Sequence, residues 1–329
     1  MARLRRMTSH PSVTDRLARL APDQRAAATA PPGPILCVAP AGSGKTTTLV
    51  ARVAWLIGGG VAPDTIAAIT FNRRAAEELQ ERVATALAPL DVPARAVRVR
   101  TFHALGLEIL RSTGMRVELV DRAAVLAELA PALEPATIAR LDTAFSRLKL
   151  DLRARVDEVA ADPAAGPLAR AWVAYERALA ERGALDFDDL VRRALDALER
   201  SPSLLARWRA SCGHLLVDEA QDLDRSQLDL ALLLAAPANR IFLVGDDDQS
   251  SYGSLPKGMR TPSIPSGASP PHHSRCASQS RSRRRAESSR HRGVPARSSA
   301  PRHCQGTTAR CLRRWSIPLT HPHRPANGC

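Results

Sequence analysis

The segment ILCVAPAGSGKTTTLVARVAWLIGGG (35–60) constrains the fold more than any other part of the chain. It opens on a short apolar run, ILCVA (35–39), with the length and composition of a buried strand. A glycine-rich turn follows, then a helix from about Lys45 to Ile57 that GGG (58–60) terminates. Strand, tight turn and helix in this order form the first half of a parallel crossover unit. Further along, IAAITF (66–71) and VRVRTF (97–102) read as strands on either side of a charged helix, RRAAEELQERVATAL. HLLVD (214–218) and RIFLVGD (240–246) resume the strand pattern, with a helix at 226–235 between them. The expected class is therefore α/β, a parallel sheet with flanking helices. Between about 103 and 211 the periodicity is helical throughout, at 103–112, 121–132, 136–148, 168–182, 187–199 and 203–211. That block predicts an inserted helical subdomain at about 104–212. Ahead of the first strand, residues 1–30 read as a polar lead with a short amphipathic helix, closed by PPGP.

Three polar stretches end three of these strands. APAGSGKT (39–46) carries the phosphate-loop pattern, with Ala39 at the place of the usual first glycine. Gly42 and Gly44 let successive N–H groups converge on one anion, and the helix N-terminus adds positive potential. Ala39, Pro40, Ala41, Gly42, Ser43, Gly44, Lys45, Thr46 and Thr47 are thus the candidate nucleotide cradle. Lys45 is expected to reach the terminal phosphates and Thr46 to offer a hydroxyl to Mg²⁺. In LLVDEAQD (215–222) an apolar strand ends in adjacent carboxylates. Alone, such an end is more often a solvated turn or a helix cap. Paired with a phosphate loop, it reads as Asp218 holding the metal and Glu219 activating a water. VGDDDQ (244–249) ends another strand on the same edge, with Gln249 placed to sense a γ-phosphate. Its aspartates also suit a simple acidic turn.

Taken in order, APDQRAA (21–27), APAGSGKT, AITFNRRAAEEL (68–79), RTFHAL (100–105), LDFDDLV (185–191), VDEAQD and VGDDDQSSYG resemble the N-terminal part of superfamily 1 DNA helicases of the UvrD/Rep/PcrA type. The resemblance covers residues 20–253, about three quarters of the chain. It implies a RecA-like P-loop NTPase domain with a helical insertion, ATP and Mg²⁺ as cofactors, and single-stranded DNA as partner. It also implies an ATP-dependent 3′→5′ helicase, monomeric, acting in DNA repair or replication restart; a cytoplasmic setting is expected from the two isolated cysteines in residues 1–253, Cys37 and Cys212, which fit a reducing compartment. Residue by residue, it assigns Gln24 to adenine. Thr70 and Phe71, then Thr101, Phe102 and His103, and finally Tyr252, fall to single-stranded DNA. Stacking of bases on such aromatics contributes roughly 1–3 kcal/mol per base and tolerates any sequence. Without the resemblance, Phe71 and Phe102 read as core residues at strand ends. Arg73 and Arg74 suit either phosphate contact or a solvated helix start.

Composition separates the remainder. The net charge of +14 lies wholly in residues 254–329, where 15 Lys and Arg meet one acid, Glu287. The bulk charge therefore says nothing about residues 1–253. The same 76 residues hold 13 Ser, 10 Pro and 14 Arg without helical or strand periodicity, a composition expected to be disordered. Nothing after Gly253 matches the family pattern, and Ser251 and Ser254 replace its usual Ile and Trp. Two readings stay open. One is a basic arm that binds nucleic acid through phosphates, making the chain an ATP- and nucleic-acid-binding module without helicase activity. The other, favoured by composition, is an out-of-frame product of a GC-rich gene from near residue 253, leaving a chain that binds ATP but does not unwind. The expected division is a flexible lead at 1–19, the ATP-binding domain at 20–253 and the basic tail at 254–329. No CxxC pair points to zinc, and no apolar run is long enough to span a membrane.

Overall fold

The computed structural model describes residues 10–151, 153–246 and 313–314. In chain order its first elements are α1 (Pro11–Ala18), α2 (Pro22–Ala28), β1 (Ile35–Val38), α3 (Lys45–Gly58), β2 (Ile66–Thr70), α4 (Arg73–Leu87) and β3 (Arg98–Thr101). A helical block follows: α5 (Phe102–Ser112), α6 (Arg122–Leu129), α7 (Pro135–Leu150), α8 (Val156–Ala161), α9 (Pro167–Arg182), α10 (Asp189–Arg200) and α11 (Pro202–Ser211). The chain then returns through β4 (His214–Val217), α12 (Arg225–Ala235) and β5 (Ile241–Gly245). The last described piece, β6 (Arg313–Arg314), pairs antiparallel with Ile35 and Leu36 of β1.

Strands β1 to β5 are mutually parallel in the order β3-β2-β4-β5-β1. Parallel strands are covered on both faces, and every residue of β2, β4 and β5 is buried. That is why these strands read as unbroken apolar runs. Helix α3 is the central support: from Thr48 to Leu56 only Trp55 escapes full burial. It shares one hydrophobic cluster with Val83 and Leu87 of α4, Ile66 and Ala68 of β2, and Phe242 of β5. A separate cluster, built on Val125, Phe145, Trp172, Tyr175 and Leu179, holds α6, α7 and α9 together.

Local chemistry sets the boundaries. Asn72 accepts from the Ala75 N–H at 2.9 Å and starts α4. Asp121 does the same for α6 through Ala124, at 2.8 Å. Pro167 opens α9, and Gly183, at φ +62°, closes it in the left-handed region.

The predicted strands and the parallel class match the observed sheet, with ends shifted by a residue or so. Two expectations change. The lead at 1–19 is not wholly flexible: residues 11–18 form α1, and Val13, 2% exposed, packs against Gly58. Its apolar residues at Val13 and Leu17 are spaced one helical turn apart, enough to dock on α3. The short α8 was missed because six residues carry too little periodicity to separate from a loop. Gln249, Tyr252 and, apart from β6, the tail at 254–329 lie outside the described residues. Among the described residues, no helix is long and apolar enough to cross a membrane.

Candidate functional site

The loop between β1 and α3 and the carboxyl ends of β4 and β5 form one edge. Because β5 lies between β1 and β4, the loop strand and the acidic strand are two strand spacings apart, about 10 Å. Helix α3 spans that gap from its first turn. The Thr46 hydroxyl donates to Asp218 Oδ2 at 2.9 Å. The Lys45 ammonium donates to the Ala39 carbonyl at 3.2 Å and sits 3.5 Å from Asp246. Asp218 and Asp246 are 5% and 4% exposed. Burial raises the Asp218 pKa, against the hydrogen bond from Thr46, so the carboxylate is held at some electrostatic cost.

The loop is shaped by its glycines. Gly42 and Gly44 have φ of +74° and +83°, and Gly44 is the N-cap of α3. A side chain at Gly44 would put its Cβ 2.6 Å from Gln24 Nε2. Gln24 occupies that space to donate to the Ser43 carbonyl at 2.6 Å, while its Oε1 accepts from the Ala21 N–H at 3.1 Å. Gln24 therefore touches the loop itself. Inside the loop the Ser43 hydroxyl is buried and has no hydrogen-bond partner among the described residues. An orphaned hydroxyl, converging N–H groups and a lysine fit a phosphate group. A hydroxyl beside a buried carboxylate is a hard-oxygen donor set that fits Mg²⁺, with Thr46 and Asp218 as the residues that would hold it.

At the end of β4, Glu219 lies in the left-handed region, φ +52°. That conformation is uncommon for a residue with a side chain and marks a constrained turn. Gln221 donates to Glu219 Oε2 at 2.8 Å and accepts from the Asp246 N–H at 2.9 Å, so one amide ties the ends of β4 and β5. Gly245 makes this possible, since a Cβ there would meet Gln221 Oε1 at 3.0 Å.

The ends of β2 and β3 continue the same edge. Phe71, between the strand and the Asn72 cap, is 46% exposed. Thr101 caps α5 by accepting from the Ala104 N–H at 3.2 Å. His103 stacks on Phe187 with ring centroids 4.0 Å apart and planes 18° from parallel. Its Nε2 is buried without a partner among the described residues, and burial lowers its pKa against the opposing pull of Asp188. Two expectations are corrected here. Phe102 is 1% exposed and cannot offer a face to a base. Once Thr101 caps the helix, Phe102 shares its buried face with Leu105, Gly106 and Ile109 at helical spacing. Thr70 is also 1% exposed, so its side chain is interior as well.

A larger groove, about 1120 Å³, runs along the helical block between Arg153, Arg177, Arg193 and Arg200 and contains none of these residues. A small cavity of about 40 Å³ lies on the loop itself, lined by Gln24, Ala39, Ser43, Lys45 and Thr48. Glu176, Asp186 and Asp189 converge closely enough to suggest a metal, but the Lys149 ammonium lies 2.7, 2.7 and 3.0 Å from them and takes that place.

Residues 20–254 match the family model described as the UvrD/REP helicase N-terminal domain. The chain belongs to that family. It is 36% identical over 261 residues to the ATP-dependent DNA helicase Rep of Escherichia coli (strain K12), covering 73% of this chain and 38% of that protein. It is 37% identical over 240 residues to the ATP-dependent DNA helicase PcrA of Leuconostoc citreum, covering 67% and 31%. PcrA of Staphylococcus aureus (strain Mu50) is 33% identical over 240 residues, covering 67% and 32%. The chain thus matches over about a third of the length of these relatives.

For this UvrD/Rep-type domain, sequence reasoning missed three residues that the edge contains. Asp246 passed as one of three aspartates in a turn, although only its partner Lys45 distinguishes it. Gln221 stood inside VDEAQD without a role. Phe187, 58% exposed, stood inside LDFDDLV. An aromatic between two aspartates is a visible signal, but Phe187 also falls in register with the apolar stripe of Leu190, Val191, Ala194, Leu195 and Leu198, so periodicity alone assigns it to the core.

Proposed function

We propose that this UvrD/Rep-type domain binds ATP with Mg²⁺ at the loop and carboxylate edge, binds single-stranded DNA at the ends of β2 and β3, and serves a 3′→5′ DNA helicase. The observation that carries the reading is the Thr46–Asp218 contact, which joins two motifs 172 residues apart beside Lys45. Lys45 neutralises and orients the terminal phosphates, and the Gly42–Gly44 backbone cradles them. Gln24, seated on the loop, faces the base. Thr46 and Asp218 would hold Mg²⁺, which would supply charge neutralisation and polarise the phosphate oxygens. Glu219 orients the attacking water and takes its proton. Gln221 links that carboxylate to Asp246, next to the strand end where Gln249 would sense the γ-phosphate. Phe71 and the His103–Phe187 pair offer flat apolar surface to unpaired bases, and the resemblance adds Tyr252, outside the described residues, as a further aromatic.

The test is equilibrium binding of a fluorescent ATP analogue and ATP turnover, each with and without oligothymidylate, on the full chain. Magnesium-dependent nucleotide binding that Lys45→Ala weakens, and DNA affinity that Phe71→Ala weakens, are expected. Nucleotide binding indifferent to magnesium and to Lys45→Ala would overturn the reading. A second reading, a binding module without unwinding, draws on the +14 carried by residues 254–329. Deleting those residues separates the two: DNA affinity that disappears with them favours the module.

A further inference from the structure

The turn that enters α10 reads Asp186-Phe187-Asp188-Asp189. Its two flanking carboxylates are held by one side chain. From α6, Arg122 Nε donates to Asp186 Oδ2 at 2.9 Å, and Nη2 donates to Asp188. The third nitrogen, Nη1, donates to the Asp142 carbonyl at 2.9 Å and to its carboxylate at 3.2 Å, which fixes the guanidinium plane from behind. A short bridge brings the partners together: Leu119 pairs with Leu185, with Val120 N–H to Leu185 O at 2.9 Å and Leu185 N–H to Glu118 O at 2.8 Å. Arg122 therefore starts its helix alongside the turn it grips.

Asp186 is the hub. Besides Arg122 it accepts from Lys149 at 2.7 Å and from the Tyr175 hydroxyl at 3.0 Å. Asp186 and Asp189 also cap each other, the backbone N–H of each donating to the other's carboxylate, at 3.2 and 3.0 Å. Burial works to raise the Asp186 pKa; the charges of Lys149 and Arg122 override it and hold the carboxyl well below the usual range. The result is a turn whose backbone is tied at every position from 185 to 189, with the Phe187 carbonyl accepting from the Leu190 N–H at 3.2 Å. The Phe187 side chain, by contrast, is the most exposed large apolar one among the described residues, at 58%.

Stability alone does not account for this arrangement. Buried ion networks are commonly matched or surpassed by well-packed apolar residues, because desolvation offsets their attraction. What a planar, five-donor guanidinium adds over an apolar side chain is fixed geometry. Carboxylates at i and i+2 gripped from one side leave the side chain at i+1 to the other side, where it meets His103.

We infer that Arg122 is a positioning residue: by gripping Asp186 and Asp188 it holds Phe187 out against His103 as a preformed platform on which an unpaired nucleobase stacks. The inference rests on the proposed single-stranded DNA binding. A platform ordered before DNA arrives spares the ordering cost at each binding event.

The test uses the full chain and three variants. Arg122→Lys keeps the charge and loses the fork. Asp188→Asn weakens one arm of the grip. Phe187→Ala removes the platform. The first readout, made without DNA, is the ring-current shift of the His103 imidazole by NMR, which Phe187→Ala abolishes and both other variants should largely abolish. The second is affinity for oligothymidylate: Phe187→Ala should weaken it about tenfold and Arg122→Lys several-fold. Arg122→Lys added to Phe187→Ala should cost little more, since the two act as a unit. Affinity for the ATP analogue should stay at the parent value in Arg122→Lys.

A folded Arg122→Lys or Asp188→Asn protein with the parent His103 shift overturns the inference. So does a loss from Arg122→Lys that adds in full to that of Phe187→Ala. If Phe187→Ala leaves oligothymidylate affinity unchanged, the DNA-binding role of this edge fails, while the His103 shift still decides whether Arg122 sets the ring. If Arg122→Lys does not fold, Asp188→Asn, whose side chain is 12% exposed, carries both readouts.

Discussion

Thr46 and Asp218 are 172 residues apart in the chain and 2.9 Å apart in space, and the bond between them closes the site. It joins the first turn of α3 to the tip of β4 across the intervening β5. The same pair is the proposed oxygen set for Mg²⁺, so removing either side should act on nucleotide binding before it acts on the fold. Asp218→Asn should reduce the magnesium-dependent part of ATP-analogue affinity by at least tenfold. The metal-independent part should remain, because the loop and Lys45 are untouched. Asp218→Asn also removes a buried carboxylate whose pKa burial raises, so its urea midpoint should equal or slightly exceed the parent's. A titration with the nucleotide analogue at high and low Mg²⁺ measures the first effect. An unchanged magnesium dependence would remove Asp218 from the metal site.

Helices α5 and α10 touch backbone to backbone at Gly106. A Cβ there would lie 2.4 Å from the Leu190 carbonyl oxygen and 2.8 Å from its carbon. Backbone atoms cannot step aside as side chains do, so Gly106→Ala must push the two helices apart. The expected loss of stability is about 2–3 kcal/mol, read from urea unfolding. Leu190 follows Phe187 by three residues, and His103 precedes Gly106 by three. The displaced helices should therefore also disturb the His103–Phe187 stack, visible as a change in the His103 NMR shift. A parent-like urea midpoint would show that the helices already have room.

Much of this architecture was legible because it rests on local signals. Strands β2, β4 and β5 are buried on both faces, which writes them as continuous apolar runs. The phosphate loop is written as glycines at the two positions that need positive φ. The residues that sequence reasoning misplaced depend on what lies across the fold. Phe102 and Phe71 each follow a strand and look alike in sequence. The cap at Thr101 begins a helix at Phe102, whose inner face takes that ring, whereas the cap at Asn72 begins its helix two residues after Phe71 and leaves Phe71 outside. Asp246 and Gln221 gain roles only from Lys45 and from each other. The buried Lys149 and Arg122 are single charges within amphipathic helices, and such charges usually belong to a solvated face. Only the meeting of four helices shows that they do not.

Arg52 ties the core to the end of α2, the helix that seats Gln24 on the loop. It is 3% exposed, and its Nη1 donates to the carbonyls of Ala27, Ala28 and Ala30, at 3.3, 3.2 and 2.9 Å. Its guanidinium carbon also lies 4.7 Å from the Phe242 ring centroid. These carbonyls end α2, the helix that carries Gln24. Burial lowers the Arg52 pKa to about 10, so the charge is costly to keep inside. Arg52→Met relieves that cost and strands the carbonyls, for a net loss of about 1–3 kcal/mol. Because α2 then loses its anchor, Gln24 should hold the Ser43 carbonyl less firmly, and ATP-analogue affinity should fall along with the urea midpoint. Stability that falls with nucleotide affinity unchanged would confine Arg52 to the core.

His214 gives stability a pH dependence of definite sign. It begins β4, is 7% exposed, and its pKa is lowered to about 4, first by burial and then by the charges of Arg240 and Arg52. The folded pKa lies below the ordinary value of 6.5, so the unfolded chain takes up the proton first. The stability this group contributes is complete above about pH 6.5 and is lost progressively as pH falls toward 4. With solvent screening of Arg240 discounted, the loss amounts to about 1–2 kcal/mol. Asp224 acts in the opposite direction: burial raises its pKa to about 6, so its ionisation costs stability as pH rises through that range. A single unfolding curve mixes the two. Comparing the parent with His214→Gln at pH 7.5 and pH 5 isolates the histidine, because Asp224 is common to both. The variant should lose less stability than the parent between those values. Equal losses would place the acid sensitivity elsewhere.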